Sequence, residues 1–373
     1  MKWFVDQMTL WFAEHGRDLL WRHDVTPYRV WVSEVMLQQT QVATVTPYFE
    51  RWMQRFPTLE SLATAEDADV LTQWQGLGYY RRARYLHQGA KYILAQCGGQ
   101  FPKALSDLQQ VPGIGAYTAG AIASIAFGQN VPAIDGNAER VLGRYFAIDG
   151  DLKKGHARRT LEDYATRIAE TGHAAIVNQA IMDLGASLCG KKATCDACPL
   201  AQRCQAKRLG LTDVLPQKAS AVPKHQLYCA ALVLVDHAGQ ALIARRRADQ
   251  LLGGLWTFPM IELMQNPKTQ AQANPLSRSP RIAEWNAWLH DHGICTPLAA
   301  CTPSGAWIRH IFTHIDMRIT LDHAVYPENI QASSLLPDHA FDAFDTVPIT
   351  DTGIQMGDHP SSTLMKKLLL KIS

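Results

Sequence analysis

The spacing of apolar side chains changes once along this chain, and the change divides it. From residue 1 to about 204, apolar residues recur at intervals of three and four with Gly or Pro as punctuation, the pattern of amphipathic helices. From about 227 the pattern becomes alternating: YCAALVLV, a turn at DHAGQ, and ALIARRR read as a β-hairpin, and HIFTHIDMRITL alternates in the manner of a strand. Between them QAKRLGLTDVLPQKASAVPK carries two prolines and no sustained apolar stripe, so 205–226 reads as a linker. The expected architecture is an all-helical domain over 1–204 and a mixed α and β domain over 227–373, with helices at 281–292 and at the C-terminus. No internal repeat is visible.

A length of 373 residues exceeds what one core usually organises, and 47% apolar content is ample for two. No stretch approaches the roughly 20 uninterrupted apolar residues of a membrane span, and MKWFVDQMTLWFAEHGRD carries acids where a secretory signal has a clean apolar run. A soluble cytosolic chain without a membrane partner is the expectation. The net charge of +2 does not by itself suggest nucleic acid, but its distribution is uneven. Residues 1–226 hold 25 Lys and Arg against 21 Asp and Glu, whereas the remainder holds 11 against 13. The cations concentrate in Arg81, Arg82 and Arg84 and in Lys153, Lys154, Arg158 and Arg159, clusters suited either to phosphates or to solvated helix faces.

Four of the eight cysteines fall in CGKKATCDACPLAQRC: Cys189, Cys195, Cys198 and Cys204. In a reducing compartment such a cluster asks for a metal rather than disulfides. Four thiolates suit a tetrahedral zinc or a four-iron, four-sulfur cluster. A zinc ribbon brings two Cys-x-x-Cys knuckles, whereas here one knuckle is flanked by single cysteines, so the spacing leans to the iron-sulfur cluster. Cys97, Cys229, Cys295 and Cys301 are scattered and read as structural thiols.

LQQVPGIGAYTAGAIASIAFG places a Pro-Gly-x-Gly turn before a helix whose apolar face runs Ile114, Thr118, Ile122 and Ile125. Gly113 and Gly115 permit a sharp turn that exposes amide groups at a helix start, where a phosphate binds. Asp135, 22 residues after Gly113, opens the next helix in VPAIDGNAERVLGR. Helix capping alone would account for it, and the helix dipole favours its anionic form. The same environment supplies the ionised carboxylate that an oxocarbenium-like transition state needs. Glu34, read alone, is a mid-helix glutamate for which a solvated or paired acid is the plainer reading.

Together TPYRVWVSEVMLQQTQVATVTPYFERW, GLGYYRRAR, VPGIGAYTAGAIA, IDGNAERV and NQAIMDLGASLC resemble the MutY-type adenine DNA glycosylases, relatives of endonuclease III in the helix-hairpin-helix superfamily. The resemblance spans 1–204 and continues more weakly to the C-terminus. It implies a helical glycosylase domain with one four-iron, four-sulfur cluster on the four cysteines, then a Nudix-like domain that senses 8-oxoguanine. The implied reaction is removal of adenine mispaired with 8-oxoguanine or guanine in double-stranded DNA, by a monomer. Glu34 matches the general acid that protonates the adenine, which requires a raised pKa and hence burial. Asp135 matches the carboxylate that stabilises the cationic sugar, and Asn137 a polar partner of the reacting centre. Tyr117 stands where endonuclease III proteins carry the lysine that attacks the sugar; a tyrosine forms no Schiff base, so a monofunctional enzyme is implied. Gln39 and Tyr79 match wedge residues that fill the gap left by an extruded base. Trp21, Arg22 and Gln179 match the lining of the adenine pocket. Phe312, Thr313 and His314 match a Phe-Ser-His segment that touches the oxidised guanine, with Thr313 replacing the serine.

Other departures are Glu139, where some relatives carry lysine, Leu20 in LLW, where LPW is usual, and five residues rather than six between the first two cysteines. The candidate strand 257–263 is followed by no glutamate-rich hydrolase box, which implies binding without pyrophosphate hydrolysis. Three rival readings are an endonuclease III type glycosylase and lyase on oxidised pyrimidines, a non-catalytic binding module, and a nucleotide pyrophosphatase. Tyr117 and the extra domain oppose the first, the two carboxylates the second, and the missing acids the third.

Overall fold

The computed structural model describes residues 1–217, 223–265, 281–350 and 353–372. They form two compact units: Met1–Ala65 with Arg81–Ser220, and Glu66–Tyr80 with Ala221–Ser373.

The first unit is helical. Its elements are α1 (Lys2–His15), α2 (Pro27–Leu37), α3 (Val42–Arg55), α4 (Leu59–Ala63), α6 (Arg81–Gln96), α7 (Leu105–Leu108), α8 (Ala116–Ala121), α9 (Gly136–Tyr145), α10 (Gly155–Ala169), α11 (Ala174–Ala186) and α12 (Gln205–Arg208), while α5 (Asp67–Trp74) belongs to the second unit. Helix α2 begins cleanly because Thr26 Oγ1 accepts the Arg29 amide at 3.2 Å and Pro27 presets the first turn. It is buried at Tyr28 and throughout Val30–Met36, as expected of a helix covered on all sides. A second core joins Phe4 and Met8 of α1 to Val141 and Leu142 of α9, Leu161 of α10 and Val177 and Leu184 of α11.

Helix α8 widens into a π-helical turn at Ile122–Ala126. There Ser124 Oγ donates to the Gly120 carbonyl at 2.7 Å and accepts from Asn178 Nδ2 at 2.9 Å. Asn178 also donates to the Val131 carbonyl and accepts the Ala133 amide, so one buried amide side chain fixes the extended segment that leads to Asp135. The backbones pass so close here that a Cβ on Gly120 would lie 2.1 Å from the Pro132 oxygen.

Part of the expected linker is packed rather than free. Residues Gln205–Arg208 form α12, Ala206 and Leu215 are buried, and Arg144 Nε donates to the Leu215 carbonyl. Leu211 and Leu215 supply apolar anchors that a search for a continuous stripe passes over.

The second unit carries β1 (His225–Val235), β2 (Gln240–Arg246), β3 (Trp256–Thr257), β4 (Met260–Gln265), α13 (Ile282–Asp291), β5 (Thr302–Ile311), β6 (Ile315–Val325), β7 (Phe341–Thr350), β8 (Gly353–Ile354) and α14 (Thr363–Leu369). The sheet order is β5-β6-β1-β2-β7-β8, with β3 paired to β2 and β4 to β1. Strand β1 runs parallel to β6 along its full length, His225 opposite Ile315 through Val235 opposite Val325. Residues Tyr228–Leu234 are all buried, as in a strand covered on both faces. Trp285 and Leu289 of α13 and Met365 and Leu368 of α14 join that core.

Two strand expectations are corrected. HIFTHIDMRITL is two antiparallel strands, β5 and β6, joined by a turn at 312–314. The stretch 257–263 is broken at Pro259 into β3 and β4, which pair with different neighbours; the residues that follow it, 266–280, lie outside the described residues. The segment Glu66–Tyr80 joins this unit through Ser361, whose Oγ accepts from Gln75 Nε2 at 3.0 Å and whose carbonyl accepts from Tyr80 at 3.1 Å.

Gly120→Ala should therefore force α8 from the 131–133 segment and destabilise the helical unit by about 1–3 kcal/mol, the usual cost of overpacking. Urea unfolding monitored by circular dichroism checks this; a variant as stable as the parent would refute the close-approach argument.

Candidate active site

A cleft of about 910 Å³ in the helical unit gathers eight of the residues singled out from the sequence: Trp21, Arg22, Glu34, Gln39, Tyr117, Asp135, Asn137 and Gln179. Glu34 projects from the middle of α2 and is 6% exposed, not solvated. Tyr117, in the first turn of α8, donates a hydrogen bond to Glu34 Oε2. Burial pushes the Glu34 carboxyl up to about 7; the Tyr117 hydrogen bond opposes this, the nearby Asp135 charge adds to it, and Arg22 opposes it again. Glu34, Tyr117 and Asp135 are thus within electrostatic reach of one another, and burial raises the Tyr117 phenol far enough to keep it protonated.

Asp135 is the N-cap of α9, where its Oδ1 accepts the Ala138 amide at 2.7 Å and its Oδ2 accepts Asn137 Nδ2 at 2.7 Å. The sequence leads to the expectation that the helix start favours its anionic form, and burial works against this. Burial raises its pKa above the usual carboxylate value, against the hydrogen bonds from Ala138 and Asn137 and the charge of Arg140. A half-buried cap loses more to desolvation than these donors return.

The turn is fixed from behind by Arg140. Its Nη2 donates to Asn137 Oδ1 and to the Gly185 carbonyl, both at 2.7 Å, and its Nε donates to the Cys189 carbonyl at 2.7 Å. Gly185 admits this contact, because a Cβ there would lie 2.5 Å from Asn137 Cβ. Arg22 is held by Asp183, a residue that sequence reasoning missed. Asp183 Oδ2 accepts Arg22 Nη1 at 2.9 Å, and its Oδ1 accepts Arg22 Nη2 at 3.0 Å and Arg17 Nη2 at 2.6 Å. Burial works to raise the Asp183 pKa, but the hydrogen bonds from Arg22 and Arg17 outweigh it and hold the carboxylate below its usual range. The signal was a single acid in the otherwise apolar run AIVNQAIMDLGA.

Trp21 is 6% exposed and packs edge-on against Phe49, so it is core as much as cleft wall. Gln179 Nε2 donates to the Ala175 carbonyl of its own helix. Glu139 pairs with Arg158 at 3.2 Å. Gln39 and Tyr79 share a rare backbone: their φ angles are 59° and 49°, in the left-handed region that non-glycine residues seldom occupy. Of the two hairpin glycines only Gly113 needs its freedom, at φ 83° with Tyr85 Cβ 2.6 Å from where its own Cβ would lie. Gly115 is extended at φ −86°, and a Cβ there would meet nothing within 4 Å. The expectation that both glycines make the turn is corrected accordingly.

One member of the basic cluster at 81–84 is corrected, while Arg81 stays exposed and Arg84 partly so. Arg82 is buried and donates to backbone carbonyls, and Arg81 donates to the Tyr85 hydroxyl.

In the second unit Thr313 Oγ1 donates to the Tyr79 hydroxyl at 3.4 Å. Phe312 stacks obliquely on His310 and its carbonyl accepts from Lys224 Nζ, while the His314 carbonyl accepts the His225 amide.

Cys189, Cys195, Cys198 and Cys204 line one apolar cavity of the helical unit, together with Val141, Leu184 and Leu200. Burial pushes the Cys198 thiol up to about 11, and each of the other three thiolates adds to that rise. Such a donor set takes its ionised form only around a cation. Among the described residues no group of three or more His, Cys, Asp or Glu side chains has the geometry to hold a metal ion. No described helix is long and apolar enough to cross a membrane.

Comparison with known proteins follows the same division. Residues 32–167 match the HhH-GPD superfamily of base excision DNA repair proteins, and residues 230–370 match the NUDIX domain. The chain is 35% identical over 387 residues to an adenine DNA glycosylase of Rattus norvegicus, covering 90% of this chain and 72% of that protein. It is 34% identical over 352 residues to the adenine DNA glycosylase of Arabidopsis thaliana, covering 84% of this chain but only 55% of the plant protein. Among solved structures, a thermostable thymine-DNA glycosylase superposes with a TM-score of 0.51 at 25% identity, over 56% of this chain and 96% of that one. A fold of two units, a cleft with two carboxylates and these relatives agree: the chain belongs to the adenine DNA glycosylase family, within the helix-hairpin-helix superfamily of base excision DNA repair proteins.

Proposed function

We propose that this DNA glycosylase extrudes adenine mispaired with 8-oxoguanine or guanine from double-stranded DNA and hydrolyses its bond to deoxyribose, acting as a monomer in the bacterial cytosol, at the nucleoid. The observation that carries the reading is the pairing of two carboxyl groups of unlike surroundings in one cleft. Glu34, buried and near half-protonated at neutral pH, donates its proton to the adenine ring, so that the C1′–N9 bond breaks and the base leaves neutral. Asp135, held by two hydrogen bonds and the Arg140 charge, stabilises the cationic sugar. Water adds to C1′ and its proton returns to Glu34. This division of labour between a neutral and an ionised acid is the general one for glycosidic bonds. Tyr117 cannot form a Schiff base, so the sugar-phosphate strand stays whole. Phe312, Thr313 and His314, with Tyr79, are the candidates for reading the partner base.

The four cysteines would hold one four-iron, four-sulfur cluster. The four thiols line one apolar cavity, and the single Cys-x-x-Cys knuckle flanked by lone cysteines favours the cluster over the paired knuckles of a zinc ribbon. When bound, the cluster supplies a scaffold for the 189–204 loop.

Purified protein should release free adenine from duplexes with adenine opposite 8-oxoguanine or guanine, and the strand should break only after alkali. Single-turnover release should fall about 10²- to 10⁴-fold in Glu34→Gln, and about 10²- to 10³-fold in Asp135→Asn. Unchanged rates in either variant would sink the assignment.

The acid must be protonated, so the rate should decline as pH rises above about 7, the Glu34 value. Tyr117 stabilises the Glu34 anion, so Tyr117→Phe should move that decline to higher pH. A profile that keeps its position would contradict the role of the hydrogen bond.

The protein as isolated should be yellow-brown, with broad absorbance near roughly 400 nm and iron in excess of zinc. A colourless protein with one zinc per chain would overturn the cluster.

A further inference from the structure

Helix α2 ends at Leu37, and the last carbonyls of a helix lack partners within it. The Thr40 amide covers Leu37 at 3.2 Å. Arg82, near the start of α6, covers much of the rest with one guanidinium. Its Nη1 donates to the carbonyls of Val35 and Met36 at 2.8 Å and of Gln38 at 2.6 Å, and its Nη2 donates to Thr40 Oγ1 at 3.2 Å. The side chain is only 8% exposed. Between the two loop residues that it grips sits Gln39, exposed, left-handed at φ 59°, and on the wall of the cleft that holds Glu34. A strained non-glycine conformation persists only where its surroundings over-determine it. Here one planar fork binds the residue before Gln39 and the residue after it, and also terminates the helix that carries Glu34. The base of that fork is itself rigid, since Gly89 brings α6 so close that a Cβ would lie 2.7 Å from the Pro112 oxygen and 2.8 Å from the Trp31 ring.

We propose that Arg82 is a positioning residue for base extrusion, acting through the Gln39 loop rather than by binding a phosphate. This rests on the reading of Gln39 as the residue that fills the gap left by the adenine. A lysine keeps the charge but not the planar fork, so it cannot hold all three carbonyls.

The test uses the full chain with its cluster, as Arg82→Lys and Arg82→Met, on duplexes in which 2-aminopurine, fluorescent when unstacked, replaces the adenine. Both variants should brighten the probe about tenfold to a hundredfold more slowly, and should release adenine from the matching adenine-containing duplex more slowly by the same factor, the scale of a small misplacement. On an adenine already lying in an unpaired loop, the loss should shrink to about threefold or less, because extrusion no longer limits the rate. The pH decline set by Glu34 should stay in place. The salt dependence of binding should keep its slope, whereas loss of a phosphate contact would lower it by about one. Variants that brighten the probe as the parent does, or a lowered salt slope with normal extrusion, would overturn the proposal. If Arg82→Met melts below the assay temperature, Arg82→Lys in a Gln39→Ala background decides. The loss from Arg82→Lys should vanish there, and additive losses would overturn the idea. A parent protein that never brightens the probe removes the extrusion reading and this proposal together, whereas normal brightening by parent and variants alike removes only this proposal.

Discussion

The hydrogen bond from Tyr117 to Glu34 is the interaction that governs the electrostatics of the cleft, because it sets a balance rather than a fixed charge. Burial within α2 drives the Glu34 carboxyl towards its neutral form, and one phenolic donor opposes that drive without cancelling it. A lysine at the same place would set an ammonium against the carboxyl and hold it ionised. Tyrosine carries no amine for a Schiff base, and its hydrogen bond leaves the Glu34 carboxyl raised to about 7. Asp135 contributes to that balance, since its charge raises the Glu34 value and its own turn lines the same cleft.

Asp135 depends in turn on its capping bond and on a chain of backbone and side-chain contacts behind it. Asn178 fixes the segment before it, Asn137 and Ala138 bind its two oxygens, and Arg140 locks Asn137 to Gly185 and to the carbonyl of Cys189. The cysteine loop is fixed further by Arg144, which donates to the Gly190 carbonyl at 2.7 Å and lies 3.4 Å from Cys189 Sγ. The turn that carries Asp135 and the cysteine loop are thus two ends of one hydrogen-bonded layer on α9.

Much of this was legible in the sequence because it rests on local rules. Thr26-Pro27 announces α2, Asp135 announces α9, and Asp236 with Gly239 announces the β1–β2 turn, each through a backbone preference within a few residues. The cleft members were legible through motif order, although Glu34 on its own resembled a surface acid; only tertiary burial distinguishes the two. What escaped depends on contacts distant in sequence. Asp183 meets Arg17 across 166 positions, and Arg82 meets Val35 across 47. No local pattern separates an arginine that faces phosphate from one that faces a carbonyl. The split of HIFTHIDMRITL into two strands escaped for another reason: alternation continues through the tight turn at 312–314, so the period alone carries no mark of reversal.

The inward arginines bear on how a chain with a net charge of +2 handles a polyanion. Arg22, Arg82, Arg140 and Arg144 all bind carbonyls or a carboxylate of the protein itself. Guanidinium groups suit this work because their planar donors satisfy several acceptors at once, where an ammonium supplies a point charge. They remain cations, however, and partly buried positive charge behind a cleft wall acts across low dielectric more strongly than the same charge in solvent. Of the four, Arg22 and Arg140 line the cleft itself, beside Glu34, Asp135 and Glu139, and Arg22 is paired there with Asp183. These four side chains are committed to holding backbone and Asp183, so a count of cations along the chain overstates the number that face outward for phosphates.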